Sequence, residues 1–341
     1  MKARIKKLAA LGISPLTPFI WRLKRSPYLL ILAYHRVLPP EHPDRLTEQP
    51  GMYVSPDTLS MHIKLLKSHF DIVTVEEWAH RSTSNKPLPA RACALTFDDG
   101  WRDNLEYAFP ILRAERVPAT MYVVTDLVGT VYDFWPNRIA RLLGNRDMLD
   151  ARHWPAWFTE ILRGVTKAST ERRALSAEEI DRVITTCKFH FTDDSMFELL
   201  KILETDETSV PHRARRNLLS WDEIRTLSDS GIFSFGSHTR RHRRLTSNLS
   251  TPVLKDEICE SRRILEDRLG KPVESFCYPN GDFCTAALEL VQVSYCAAVT
   301  MQRGTNSPNS ARHLMQRVGI HDAASSTKPA FLSWIARAYI H

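Results

Sequence analysis

"RACALTFDDG", residues 91–100, is the stretch on which the reading of this chain turns. The apolar run Ala92–Phe97 has the length and composition of a buried strand. It stops on two adjacent carboxylates, Asp98 and Asp99, followed by Gly100. Neighbouring negative charges removed from water repel, and one pKa rises unless a cation stands opposite. A strand-terminal Asp that merely caps the next helix is the plain alternative.

Working outward, "YLLILAYHRV" (28–37) reads as a buried strand. A helix follows on "SPDTLSMHIKLLKSHF", with Ser55 as N-cap and Pro56 at the first helical position. "DIVTV" (71–75) predicts a strand, and "TVEEWAHR" a helix opened by a Thr-x-x-Glu capping box. After "ACALTF" come a helix through "NLEYAFPILRAERV" and the strand "ATMYVVT" (119–125). From about Asp133 to Leu219 the pattern turns helical, with capping boxes at Ser176-x-x-Glu179 and Ser195-x-x-Glu198. The alternation then resumes: "SWDEIRTLSDSG" (helix), "FSFGSH" (strand), "TPVLKDEICESRRILEDRLG" (one long amphipathic helix), "ESFCYP" (strand), "TAALELVQVSY" (helix) and "CAAVT" (strand).

Strands alternating with helices predict an α/β fold with a parallel sheet. No GxGxxG or P-loop string occurs, which favours a closed barrel over an open doubly wound sheet. In such barrels reactive side chains gather where strands end. The expected organisation is a basic N-terminal arm (1–27) and one catalytic barrel (28–341), with a helical insertion at about 133–219.

The 341 residues carry 46 Lys and Arg against 39 Asp and Glu, a net charge of +7 that favours anionic surroundings such as a bilayer surface or an acidic glycan. The cations are scattered without interleaved aromatics, which argues against a nucleic-acid partner. Six cysteines without a CxxC pair read as reduced thiols of a cytoplasmic protein. "MKARIKKLAALGISPLTPFIWRLKR" is broken by Pro15, Pro18, Arg22 and Lys24, which argues against a transmembrane helix or signal peptide. A basic arm resting on a membrane surface and a plain packing helix remain as readings of it. Oligomeric state is not legible.

Four predicted strand ends carry unusual polar residues: His35, the Asp98–Asp99 pair, His238 with His242 four residues on, and the turn Tyr278-Pro279-Asn280-Gly281. Two imidazoles and one carboxylate make a three-ligand set for Zn²⁺ or a similar divalent ion, with Co²⁺ and Ni²⁺ suited to the same donors. Asp99 is then the ligand and Asp98 the neighbouring base, because a dication relieves the repulsion between them.

"TFDDG" followed by "SHTRRH" and "YPNG" resembles the polysaccharide deacetylase family, the NodB-homology carbohydrate esterases. The resemblance covers roughly residues 28–320 and implies a distorted (β/α)7 barrel with metal-dependent removal of acetyl groups from glycans. Residue by residue it implies Asp98 as catalytic base, Asp99, His238 and His242 as metal ligands, and the Asn280 N–H as oxyanion donor. Tyr278 and Arg317 are the expected substrate-side residues. The family's base-orienting Arg falls on Cys277, so Arg317 is also a substitute for it. Arg243 stands where a Pro is usual. No clear late Leu-x-His supplies the general acid; His321 in "VGIHD" is a loose match. The permuted branch, typified by poly-N-acetylglucosamine deacetylases, takes its acid from an N-terminal strand, which points to His35 in "LAYHRV". Two other readings remain: a deformylase or deacylase of a lipid-linked amido sugar, and a catalytically weak carbohydrate-binding protein on the same barrel.

Overall fold

The computed structural model describes residues 26–84, 86–144, 154–166, 174–203 and 216–339. The basic arm lies outside these residues except for Ser26 and Pro27. The strands are β1 (Tyr28–Tyr34), β2 (Arg36–Val37), β3 (Tyr53–Val54), β4 (Asp71–Ile72), β5 (Arg91–Phe97), β6 (Ala119–Val123), β7 (Phe233–Ser237), β8 (Ser275–Cys277), β9 (Ala297–Val299) and β10 (Val318–Gly319).

A parallel sheet runs in the order β10-β1-β5-β6-β7-β8-β9, with β4 beside β5, and β2 pairs separately with β3. The sheet curls until its edges meet. Met315 N donates to Ala298 O at 2.9 Å and Thr300 N to Met315 O at 2.8 Å, so the chain leading into β10 hydrogen-bonds along β9. This is the expected α/β architecture, a distorted (β/α) barrel.

β1 is buried along its whole length, as a continuous apolar strand in a parallel sheet must be. One of its faces, Leu30, Leu32 and Tyr34, packs with Leu95 and Phe97 in the main core. The other, Leu29 and Ile31, meets Ala92, Ala94, Tyr122, Cys277 and Val299 from strands around the sheet, a layer of mostly small side chains.

Register aligns the strand ends. Tyr34 pairs with Phe97, which places His35 and Asp98 side by side one residue further on. Val123 pairs with Ser237, and Ser237 with Phe276, so His238 and Cys277 reach the same rim.

Four helices, Trp135–Gly144, Ala156–Thr166, Ala177–His190 and Asp193–Leu203, share a second core around Ile139, Phe158, Val183 and Leu199. The Ser176 capping box forms, and the helix at Trp221–Asp229 gains another from Ser220 and Glu223. The box expected at Ser195 does not cap, because the helix begins earlier and Ser195 N donates to Thr192 Oγ1 at 3.2 Å. "DIVTV" is strand only at Asp71–Ile72, since Thr74 turns aside to accept the Glu77 N–H at 3.1 Å. "YLLILAYHRV" breaks at His35 into β1 and β2. The single helix expected over 251–270 contains a π-helical turn at Asp256–Glu260, and another spans Asn104–Ala108.

Gly236 has no room for a side chain: a Cβ there would lie 2.5 Å from Tyr122 Cε1 and 2.6 Å from Ser275 Oγ. Gly236→Ala is expected to lower unfolding free energy by about 1–3 kcal/mol, the usual cost of overpacking, in a denaturant titration.

Candidate active site

Asp98 is buried against a guanidinium. Arg317, itself buried, donates from Nη1 to Oδ1 and from Nη2 to Oδ2, each at 2.8 Å. Arg317 is fixed in turn by Thr300 O at 2.9 Å and Thr96 Oγ1 at 3.0 Å, with Cys277 Sγ 3.1 Å from Nη2. Burial pushes the Asp98 pKa up, but the Arg317 charge and its paired hydrogen bonds outweigh that and hold it below the ordinary carboxylate range. His35 Nε2 stands 3.9 Å from Asp98 Oδ2, and burial keeps this imidazole below its usual pKa.

Asp99 faces the other way. Its Oδ1 lies 3.5 Å from His238 Nε2 and 3.4 Å from His242 Nε2, while Trp101 Nε1 donates to Oδ2 at 2.9 Å. Oδ1 is buried and has no hydrogen-bond partner. His238 Nδ1 contacts Cys277 O at 2.8 Å; a carbonyl only accepts, so Nδ1 donates and Nε2 is the nitrogen turned toward Asp99. Burial raises the Asp99 pKa, and the two imidazoles more than offset it, leaving the carboxyl well below the usual range.

The ligand atoms of Asp99, His238 and His242 lie within 4.8 Å of one another. An orphaned buried carboxylate oxygen between two imidazole nitrogens is a donor set that fits a divalent ion. A second triple, Asp98, His238 and Cys277, is equally close, but the Arg317 fork already occupies Asp98. Among the described residues, Asp99, Arg116, Thr239, His242 and Asn280 are the non-glycine positions with positive φ, and all but Arg116 sit at this rim. Non-glycine side chains held in the left-handed region concentrate where geometry is functionally constrained.

These side chains open onto a cleft of about 240 Å³ that His35, Asp98, Asp99, His238, His242, Tyr278, Asn280 and Arg317 all help to line. Tyr278 is buried and its hydroxyl has no hydrogen-bond partner. Asn280 occupies the turn after β8 at φ 57° and donates its amide to Asp282. His321 does not line the cleft; its ring packs edge-on against Trp334.

The sequence profile of the polysaccharide deacetylase family matches residues 85–168 and 190–294, more than half of the chain. The chain belongs to the polysaccharide deacetylase family. A Staphylococcus aureus poly-β-1,6-N-acetyl-D-glucosamine N-deacetylase is 35% identical over 77 residues, which is 22% of this chain and 26% of that protein. The Escherichia coli K12 protein of the same name is 32% identical over 91 residues, 26% of this chain and 14% of its own length. The aligned stretches thus span about a quarter or less of these relatives. The fold extends further. The Streptococcus pyogenes deacetylase PplD superposes over 91% of this chain and 99% of its own, with a TM-score of 0.58 at 17% identity. IcaB from Ammonifex degensii covers 91% and 98% with a TM-score of 0.57, also at 17% identity.

Several cleft residues of this polysaccharide deacetylase family member escaped the sequence reading. Trp101 directly follows the carboxylate turn, Phe134 precedes the helix Trp135–Gly144 and Trp135 opens it, with Phe134 edge-on to His242 at 5.0 Å. The string "FWPN" was a legible aromatic cluster; nothing local marks Glu48, Gln49 or Lys188, which also face the cleft. Trp101 is seated under the Arg36 guanidinium at 4.1 Å, and Arg36 donates to Asp44, Glu48 and Asp103 at 2.8–2.9 Å. Burial pushes the Asp103 carboxyl up to about 6, against the lowering effect of Arg36.

Arg317→Met strips the buried Asp98 of its cation and is expected to lower stability by about 3–5 kcal/mol in chemical denaturation. Asp103 supplies a pH test. Its folded pKa of about 6 exceeds an unfolded value of about 3.9, so its contribution is present at low pH and lost as pH rises through about 6. The stability of the wild type relative to Asp103→Asn should therefore fall between pH 4 and pH 6.

Proposed function

We propose that this protein is a metal-dependent hydrolase that removes N-acetyl groups from a glycan containing N-acetylhexosamine. The observation that carries this reading is the pairing at the end of β5: one carboxylate locked to Arg317, the next aimed at two imidazoles. The similarity to proteins named poly-β-1,6-N-acetyl-D-glucosamine N-deacetylase supports a poly-N-acetylglucosamine type of backbone. The reading includes the chain organisation expected from sequence: a basic arm over 1–27, then the barrel with its helical insertion.

Asp99, His238 and His242 would hold the ion, Zn²⁺ or a cation of like preference. Bound there, it would supply Lewis acidity toward a carbonyl and lower the pKa of a water. The remaining work falls to the chain. Asp98, ionised and aligned by Arg317, accepts the proton of the attacking water. The Asn280 N–H donates to the developing oxyanion, a contribution of about 2.7–4 kcal/mol for one well-placed donor. His35, beside Asp98 at the same rim, gives a proton to the departing amine. Arg317 has its donors on protein groups, which makes it a positioning residue for Asp98 rather than a substrate contact.

The test is release of acetate, and in parallel of formate, from N-acylated sugar oligomers with and without chelator. Acetate release that a chelator stops and Zn²⁺ restores is expected. Asp98→Asn should fall to background, and His35→Ala should lose about 10²–10⁴ in kcat. Formate as the released acid points to the amido-sugar deformylase reading. Wild-type protein that binds the oligomers yet frees neither acid is a carbohydrate-binding protein, and the hydrolase assignment ends there.

A further inference from the structure

The ammonium of Lys188 reaches the cleft and forms no ion pair among the described residues. Lys188 sits in the last turn of the helix Ala177–His190 and lines the same cleft as Asp98 and Asp99. Among the described residues, Lys188 Nζ donates to a neutral group, Gln49 Oε1, at 3.0 Å. Gln49 is oriented by its other end, since Nε2 donates to Asp181 Oδ1 at 2.9 Å. The amide thus stands between Lys188 and the acid that could have paired with it.

The other charged groups around Lys188 are engaged. Glu48 Oε2 accepts from Arg36 Nη1 and Asn137 Nδ2, each at 2.9 Å. Asp99 belongs to the imidazole set, and Arg244 is ion-paired with Asp282. Arg244 also donates to the Lys188 carbonyl at 2.8 Å, which anchors the backbone beneath the ammonium. An ammonium has three N–H donors, and withdrawing a cation from water without a directly bonded counter-charge is costly. Burial accordingly lowers the Lys188 pKa, with Glu48, Asp99 and Asp181 acting against that fall.

We infer that Lys188, held by Gln49, is the recognition point for a negatively charged group on the glycan, a phosphate or a carboxylate carried close to the N-acetylhexosamine. This rests on the hydrolase reading above and narrows its substrate from a neutral poly-N-acetylglucosamine to an anionic saccharide. Trp135, on the adjoining helix and largely buried in the helical core, lines the same wall.

The experiment compares N-acetylglucosamine 1-phosphate, a glucuronate–N-acetylglucosamine disaccharide and neutral di-N-acetylchitobiose. It measures kcat/KM for acetate release and, separately, Kd by calorimetry, for wild type, Lys188→Met and Lys188→Arg. Wild type should favour at least one anionic probe over the neutral one by about tenfold to a hundredfold, the range of a hydrogen bond to a charged group. The preferred probe tells phosphate from carboxylate. Lys188→Met should collapse that ratio mainly through KM and Kd, and Lys188→Arg should keep most of it. A wild type without preference, or a Lys188→Met protein that retains the ratio, overturns the inference. If no probe yields acetate, the hydrolase reading fails while the Kd ratios still decide whether Lys188 selects an anion.

Discussion

Two neighbouring carboxylates taken out of water at the end of β5 set the terms for everything around them. Asp98 and Asp99 cannot both stay ionised in a low-dielectric wall unless each has its own compensation. The backbone separates them: the left-handed turn at Asp99 and Gly100 sends consecutive side chains to different partners. One meets a guanidinium that reaches it from the start of β10. The other meets two imidazoles carried by the end of β7 and the loop beyond.

That division requires a curled sheet. Arg317 can reach Asp98 only because the chain entering β10 closes the seam against β9 and then pairs with β1, next to β5. His238 reaches Asp99 because Val123 and Ser237 are in register across β6 and β7. Gly236 lets β7 approach Tyr122 and Ser275 closely enough to hold that register. Around this centre Trp101, wedged beneath Arg36, ties the Asp99 carboxylate to a buried ion network, and the helices Trp135–Gly144 and Ala177–His190 add Trp135 and Lys188 as a second wall.

Much of this was legible in the sequence because strand ends are short and local. "TFDDG", "SHTRRH" and "LAYHRV" name the rim residues, and parallel β/α alternation says they share one rim. What was not legible depends on contacts distant in sequence. The site of Ser195 looked like a cap until a helix starting two residues earlier took Thr192 instead. The π-helical turns at 104–108 and 256–260 follow from no local motif in residues that otherwise read as plain helix. Gln49 and Lys188 are 139 positions apart, and only tertiary packing brings their side chains together.

The central claim is that Asp99, His238 and His242 form one divalent-ion site while Asp98 remains with Arg317. Anomalous diffraction at the zinc edge, from crystals of the full chain grown with one equivalent of Zn²⁺, tests it most directly. A single peak within bonding distance of Asp99 Oδ1 and the Nε2 atoms of both histidines is the predicted result. A peak that takes Asp98 or Cys277 as a ligand, or no peak at this rim, would contradict it.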